Sequence, residues 1–393
     1  MRILHAIHSI NPEGGGPIEG ILQLAPCMAR EGHSIEIASL DAPNAAFLVD
    51  FPLPIHPLGP NRLAYGFSPR FVPWLRHNAG RYDVVVVNGV WNYSSFGVWQ
   101  ALRNTSTPYA VFTHGMLDPW FKRALPLKHL KKLVYWHFGE YKVLRDAAAV
   151  LFTSEEECLL ARRSFSPYKA KEVVVNYGVS GDAGNPNTQI ETLVQRFPVL
   201  RGKRIALFMG RIHPKKACDL ALQSFSRILA ADPDWHLVFA GPNQSGWQVE
   251  LESLAANLGI ANRITWTGMV KGDLKWGLLR AAEFLFLPSH QENFGIVVAE
   301  SLSCHTPVLI SDKVNIWREI KQAGAGLVAP DTLDGACSLL HSWIRLSAGE
   351  RCSMKVKSRQ CFERNFEIDQ AFRSLANVLA TIANQQHDIY ARS

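Results

Sequence analysis

The chain has 393 residues, too many for one ordinary core, is 47% apolar and 19% charged, and carries a formal net charge of +7. This composition excludes a disordered or fibrous protein, and no apolar run approaches the roughly eighteen residues of a membrane-spanning helix. The basic balance suits nucleic acid, an anionic membrane face or a phosphorylated substrate, and alone selects none of them.

In chain order, Arg2–Ile10 reads as a strand that runs into Asn11-Pro12-Glu13-Gly14 with no small-residue cleavage site, so a secretory leader is not expected. A glycine loop, a helix over Gly20–Glu31 and a strand over Ser34–Ser39 follow. Further strands are predicted at Asp83–Asn88, Tyr109–Thr113, Ala149–Thr153 and Glu172–Asn176. After the Gly/Asn-rich stretch Gly178–Asn187 the rhythm restarts, with strands at Arg204–Met209, His236–Ala240, Ile264–Thr267, Phe284–Leu287 and Pro307–Ser311. Strands alternating with helices imply parallel sheets covered on both faces, and two such series imply two doubly wound α/β domains. The expected boundaries are a first domain over 1–180, a linker over 181–203, a second domain over 204–365, and a C-terminal helix over 366–393 that returns to the first domain. Seven cysteines without a Cys-x-x-Cys pair suggest neither a disulfide framework nor a zinc site, and a reducing compartment is expected.

Open parallel sheets bind ligands beyond the carboxyl ends of their strands, so the residues that follow strands carry the chemistry. Gly14-Gly15-Gly16-Pro17 follows the first strand; it reads either as a close-approach loop for a phosphate or as a plain flexible loop. Its spacing is neither the dinucleotide fingerprint nor a P-loop. Gly210-Arg211-Ile212-His213-Pro214-Lys215-Lys216 follows the second domain's first strand, where Arg211 and Lys216 either converge on an anion or form a solvated basic loop. The run from Ser289 to Ser301 is the most specific. Glu292 sits in the loop after a strand, and Glu300 lies two turns into an apolar helix, flanked by Val297, Val298, Ala299 and Leu302. A carboxylate in that setting needs a ligand hydroxyl, an N–H or a cation. Between the two acids, the N–H groups of Asn293, Phe294, Gly295 and Ile296 belong to a helix start. Thr113-His114-Gly115 closes the set, with His114 either structural or aimed at a ligand.

In this order the pieces resemble the retaining nucleotide-sugar glycosyltransferases of glycosyltransferase family 4, across nearly the whole chain. The resemblance implies the GT-B architecture of two facing Rossmann-like domains. It also implies transfer of a hexose, with UDP-glucose as first expectation, to a glycan or lipid-linked hydroxyl in cell-surface polysaccharide synthesis on the cytoplasmic side of a membrane. By the same resemblance Glu300 binds the nucleotide ribose, and Arg211 and Lys216 neutralise the departing diphosphate. Glu292 with Asn293–Ile296 holds sugar and phosphate, Gly15 and Gly16 approach the phosphate, His114 contacts the sugar, and Val270 lines the base pocket. Cations and helix-start N–H groups stabilise a leaving diphosphate without a metal, and no metal or other cofactor is expected. The literal Asp232-Pro233-Asp234 motif falls at the amino end of a strand and reads as a turn.

The segment Trp120–Val134 contains Lys122, Arg123, Lys128, Lys131 and Lys132 beside Leu127, Leu130 and Val134. It reads either as a basic amphipathic helix lying on anionic lipid or as an ordinary helix packed on its own sheet. The rival functions are a nucleotide-sugar epimerase on the same scaffold and a basic nucleic-acid-binding protein. The paired acids disfavour the second, and a nicotinamide oxidoreductase lacks its fingerprint.

Overall fold

The computed structural model describes residues 1–12, 16–61, 65–120, 122, 126–181, 184–244 and 246–391. The chain forms two units, Met1–Gly178 with Ile368–Ser393, and Val179–Glu367.

The first unit is built on a parallel sheet of β1 (Arg2–Ile7), β2 (Ser34–Ser39), β3 (Ile55–Pro57), β4 (Val84–Asn88), β5 (Tyr109–Phe112), β6 (Ala149–Phe152) and β7 (Glu172–Val174). Its strand order is β3-β2-β1-β4-β5-β6-β7. In register, Ile3 lies between Ile35 and Val84. The Val84–Val87 run is fully buried, as a strand covered on both faces requires. Alternate residues serve opposite layers. Leu4, Ala6, Val85 and Val87 pack with helices Phe71–Asn78 and Tyr93–Leu102. Ile3, Ile7, Val84 and Val86 pack with Gly16–Arg30 and with the C-terminal helix Ile368–Ala391. That last helix contributes Phe372, Leu375, Leu379 and Ile382, a spacing that lines one face, and Arg30 pairs with Asp369 beside them.

The second unit carries β8 (Arg204–Met209), β9 (Trp235–Ala240), β10 (Ile264–Gly268), β11 (Ala282–Leu287), β12 (Val308–Ser311) and β13 (Gly326–Ala329), in the order β10-β9-β8-β11-β12-β13. The stretch expected as a linker is folded into this unit. Asn185 caps helix Pro186–Arg196 through its side chain. That helix lies against Gly272–Ala281 so closely that a Cβ on Gly277 would stand 2.2 Å from the Gln189 carbonyl oxygen. The unit therefore begins at Val179, ahead of the expected 204, and ends at Glu367.

The observed strands end earlier than expected where residues turn into site loops. His8–Ile10 leave the ladder of β1, and the Ile10 N–H donates to the Asp41 carboxylate at 2.9 Å. The first helix begins at Gly16, ahead of the expected Gly20. Two strands, β3 and β13, were not foreseen. In each unit the strand order reverses direction at one point, between β1 and β4 and between β8 and β11, where open α/β sheets hold their ligands.

Candidate functional site

In the second unit, β8 delivers Gly210-Arg211-Ile212-His213 into a single turn, Pro214–Lys216. The His213 ring accepts the Lys215 N–H at 3.1 Å. Burial, with Lys215, Arg211 and Lys216 alongside, holds that ring below the ordinary imidazole pKa, which suits an acceptor. Ala217 then adopts φ 53°, a left-handed conformation that turns the chain into helix Cys218–Ile228. The reversal leaves the Lys216 side chain buried, with its ammonium paired to the Glu292 carboxylate.

Glu292 belongs to the loop after β11, and the segments that follow β8 and β12 fix that loop. The N–H groups of His290 and Gln291 donate to the Lys215 carbonyl at 2.8 and 3.3 Å, and the Glu292 N–H donates to the Lys313 carbonyl at 3.0 Å. The Asn315 N–H returns to the Glu292 carbonyl at 3.0 Å. The second Glu292 oxygen accepts the Asn293 N–H at 3.1 Å, and Asn315 Nδ2 donates to Asn293 Oδ1 at 3.1 Å. Phe294 is buried, Gly295 takes φ 71°, and helix Ile296–Ser303 starts there. A Cβ on Gly295 would come within 3.2 Å of both Glu292 Cγ and Val298 Cγ2, so the glycine is needed for space as well as for φ.

Glu300 is 7% exposed, and its carboxylate is 2.8 Å from Lys275 Nζ on helix Gly272–Ala281. The partner that its apolar flanks demanded is thus a cation of this chain. Val270 is buried just before the same helix. Arg211 is not drawn to the Lys216–Glu292 pair. It is exposed, and its guanidinium lies 3.5 Å from Gln244 Oε1.

In the first unit, His114 follows β5 at φ 47°. Its Nε2 lies 3.3 Å from Asn88 Oδ1, and Asn88 Nδ2 lies 3.1 Å from His5 Nδ1. The amide between the rings donates to one and accepts from the other. Burial drives both imidazoles down to about 4. Both rings are therefore neutral at pH 7, and His114 keeps Nδ1 as an acceptor. The His114 loop is clamped by the buried Glu157, which accepts from Thr113 Oγ1 and the Gly115 N–H at 2.6 Å each and from Thr153 N–H at 2.8 Å. Tyr177 lies edge-on to the His114 ring, and its hydroxyl donates to the Gly16 carbonyl at 3.3 Å. Gly16 is exposed, and, its chain neighbours and own helix backbone aside, nothing among the described residues lies within 4 Å of a Cβ placed on it. Gly15 lies outside the described residues.

Residues 15–178 match the family described as "Glycosyl transferase 4-like domain", and residues 189–346 match "Glycosyl transferases group 1". The chain resembles the Anabaena Alr3699/HepE protein solved with UDP (TM-score 0.76, 16% identity, 97% of this chain and all of that one). The sucrose-phosphate synthase of Thermosynechococcus elongatus is equally similar (TM-score 0.76, 16% identity, all of both chains). The fold is GT-B. Curated relatives include the D-inositol 3-phosphate glycosyltransferase of Geodermatophilus obscurus, 31% identical over 70% of this chain and 63% of that protein. The namesake from Actinosynnema mirum is 27% identical over 86% of each. The match spans 63% and 52% of the first two curated relatives' own length.

Within this GT-B chain, sequence reasoning missed Lys275, Asn88 and Glu157. Lys275 carries no local signal, because its partner is twenty-five positions away on another helix. Asn88 closes an all-Val strand, and one polar residue ending a buried strand was a readable hint. Glu157 stands three residues after Ser154, whose side chain accepts its N–H, the spacing of a helix cap. Asp232-Pro233-Asp234 leads into β9 at its amino end, with Asp232 Oδ1 accepting the Asp234 N–H at 3.0 Å. Among the described residues no helix is long and apolar enough to cross a membrane.

Proposed function

We propose that the protein is a glycosyltransferase that moves a hexose, UDP-glucose being the favoured donor, from a nucleoside diphosphate to an acceptor hydroxyl with retention at the anomeric carbon and without a metal. The observation that carries this reading is the buried Lys216 ammonium held at the carboxyl end of β8, against Glu292 at the carboxyl end of β11, where the strand order reverses. The two domain matches and the GT-B fold agree with it.

Cleavage of a glycosyl–diphosphate bond puts negative charge on the departing phosphate and positive character on the sugar. Lys216 is already desolvated, so a phosphate there meets a cation in a low-dielectric setting, which strengthens as charge develops. The first-turn N–H groups of Ile296–Ser303, with the Asn293–Gly295 backbone, hold the phosphate oxygens, and Arg211 turns in from its exposed position to add a second cation. Glu292 clamps the sugar hydroxyls and stabilises positive charge. Glu300, oriented by Lys275, takes the ribose hydroxyls, and Val270 lies beside the base. In the first unit, neutral His114 accepts a sugar hydroxyl at Nδ1, and Gly15 and Gly16 admit the phosphate. The acceptor is a glycan or lipid-linked hydroxyl in cell-surface polysaccharide assembly. The curated relatives, named D-inositol 3-phosphate glycosyltransferases, add D-inositol 3-phosphate as a second acceptor to try.

The test is incubation of the full chain with a panel of UDP-, GDP- and ADP-hexoses, scoring slow hydrolysis without acceptor and then transfer to inositol 3-phosphate or to lipid-linked glycans. Hydrolysis of UDP-glucose with release of α-glucose supports the reading. Turnover of none of the panel, or interconversion of sugar nucleotides without release, overturns it.

A further inference from the structure

The helix Pro126–Phe138 is amphipathic with its apolar side outward. Its inward face is aromatic. Trp136 is fully buried, stacks on Phe165 at 4.9 Å and donates its indole N–H to the Pro167 carbonyl at 2.7 Å. His129 also stacks on Phe165 at 4.9 Å, and Lys132 Nζ lies 4.4 Å over the Trp91 ring. With that face docked, Leu127, Leu130, Val134 and Phe138 are left 80%, 61%, 62% and 71% exposed. Their spacing of three, four and four residues makes one continuous stripe along the helix. Of the two readings of this segment, the structure does not show the one in which Leu127, Leu130 and Val134 pack on the sheet.

Four large apolar side chains in one exposed row are uncommon on a soluble surface, and what borders them identifies the occupant. At 100° per residue the stripe is flanked by Lys131 on one side and His137 on the other, both exposed. From Pro119 to Gly139 the sequence contains Lys122, Arg123, Lys128, Lys131 and Lys132 and neither Asp nor Glu. An apolar ridge with a basic border matches a bilayer whose headgroups are anionic and whose acyl region begins just below them. A protein partner of matching shape would need an acidic rim around an apolar groove, and a second copy of this helix would bring the lysines together.

We propose that the helix Pro126–Phe138 docks the first unit onto an anionic membrane surface, the apolar stripe entering the headgroup boundary and the exposed Lys131 at its border facing the phosphates. The assignment does not depend on the nucleotide-sugar reading, and it would place the chain where a lipid-linked acceptor is found.

The test is flotation of the full chain with vesicles of phosphatidylcholine alone and of phosphatidylcholine with phosphatidylglycerol, beside the variants L130E/V134E and K131E. All three altered positions are exposed, so melting temperature and the response to UDP serve as folding controls. Wild type is expected to float with anionic vesicles, about tenfold more weakly with neutral ones, and less as salt rises. L130E/V134E should lose binding by about tenfold or more, and K131E should lose part of it. Wild type failing to float with anionic vesicles, or both variants floating as wild type does, overturns the proposal. So does light scattering that shows a wild-type dimer split by L130E/V134E, since the stripe would then be an interface between copies.

Discussion

Lys216 and Glu292 each meet the other at little water exposure, 10% and 21% for their side chains, so removing one partner has two separable consequences. Lys216→Ala should lower turnover by about 10²–10³, as loss of leaving-group stabilisation. It should also cost about 1–2 kcal/mol of stability, because the Glu292 carboxylate loses its cation while water still reaches it in part. A cycle combining Lys216→Ala with Glu292→Gln checks both. Stability loss in the double variant below the sum of the singles marks the pair, and near-normal turnover of Lys216→Ala would sink the assignment. A second residue-scale prediction concerns pH. Burial, with His114 alongside, holds His5 at about 4 against 6.5 in the unfolded chain, so below pH 6.5 the unfolded state binds more protons. The stability that His5 contributes as a neutral ring is therefore complete above pH 6.5 and is lost as pH falls towards 4, the loss reaching about 3 kcal/mol below that. Glu140 runs the other way: burial raises it to about 7 from 4.5, so the folded state gains relative stability between pH 7 and 4.5. The bulk pH profile mixes these opposing slopes. The clean measurement is the difference in unfolding free energy between wild type and His5→Asn, which should shrink steadily from pH 6.5 to 4; a constant difference would contradict it.

Gly295 shows how one element depends on one backbone angle. It holds φ 71° at the start of helix Ile296–Ser303, and a side chain there would press on Glu292. Gly295→Ala should cost about 1–2 kcal/mol and reduce turnover more than its stability loss explains, because the new methyl displaces Glu292. Kinetics and a melting curve on the same sample would show it, and unchanged kinetics would detach Glu292 from the reaction. The sequence signalled this helix and its preceding strand well, since a buried parallel strand is an unbroken apolar run such as Phe284–Leu287 and the polar loop after it is abrupt. It signalled other elements poorly. Ile55–Pro57 and Gly326–Ala329 are too short to show a period, and edge strands of three or four residues are held by their neighbours' register and not by their own propensity. Helix Pro186–Arg196 was hidden inside a stretch read as linker, although Asn185-Pro186 is a helix start by composition. Lys275 was invisible, and the bridging role of Asn88 illegible, for a different reason: an ion pair or amide bridge between distant elements exists only after the fold has brought them together.

At the scale of the whole molecule, each unit owns a sheet and two layers of helices, and the chain crosses from one to the other twice, at Gly178 and at Glu367. The last helix, Ile368–Ala391, belongs to the core of the first unit although it is made last, with Leu379 fully buried among Ile21, Leu24 and Met28 of that cluster. Two cores of this kind need not melt together, and a ligand stabilises only the unit that binds it. Calorimetry should therefore resolve two transitions. Leu379→Ala leaves a cavity worth about 2–5 kcal/mol in the first unit and should lower one transition by roughly 5–15 °C while leaving the other in place. UDP, on the proposed function, should raise the transition that Leu379→Ala spares, because Lys216, Glu292 and Glu300 all lie in the second unit. If UDP instead raised the transition that Leu379→Ala lowers, the nucleotide would have to bind around His114 and Gly16, and the donor site argued from Lys216 would be in the wrong half of the molecule.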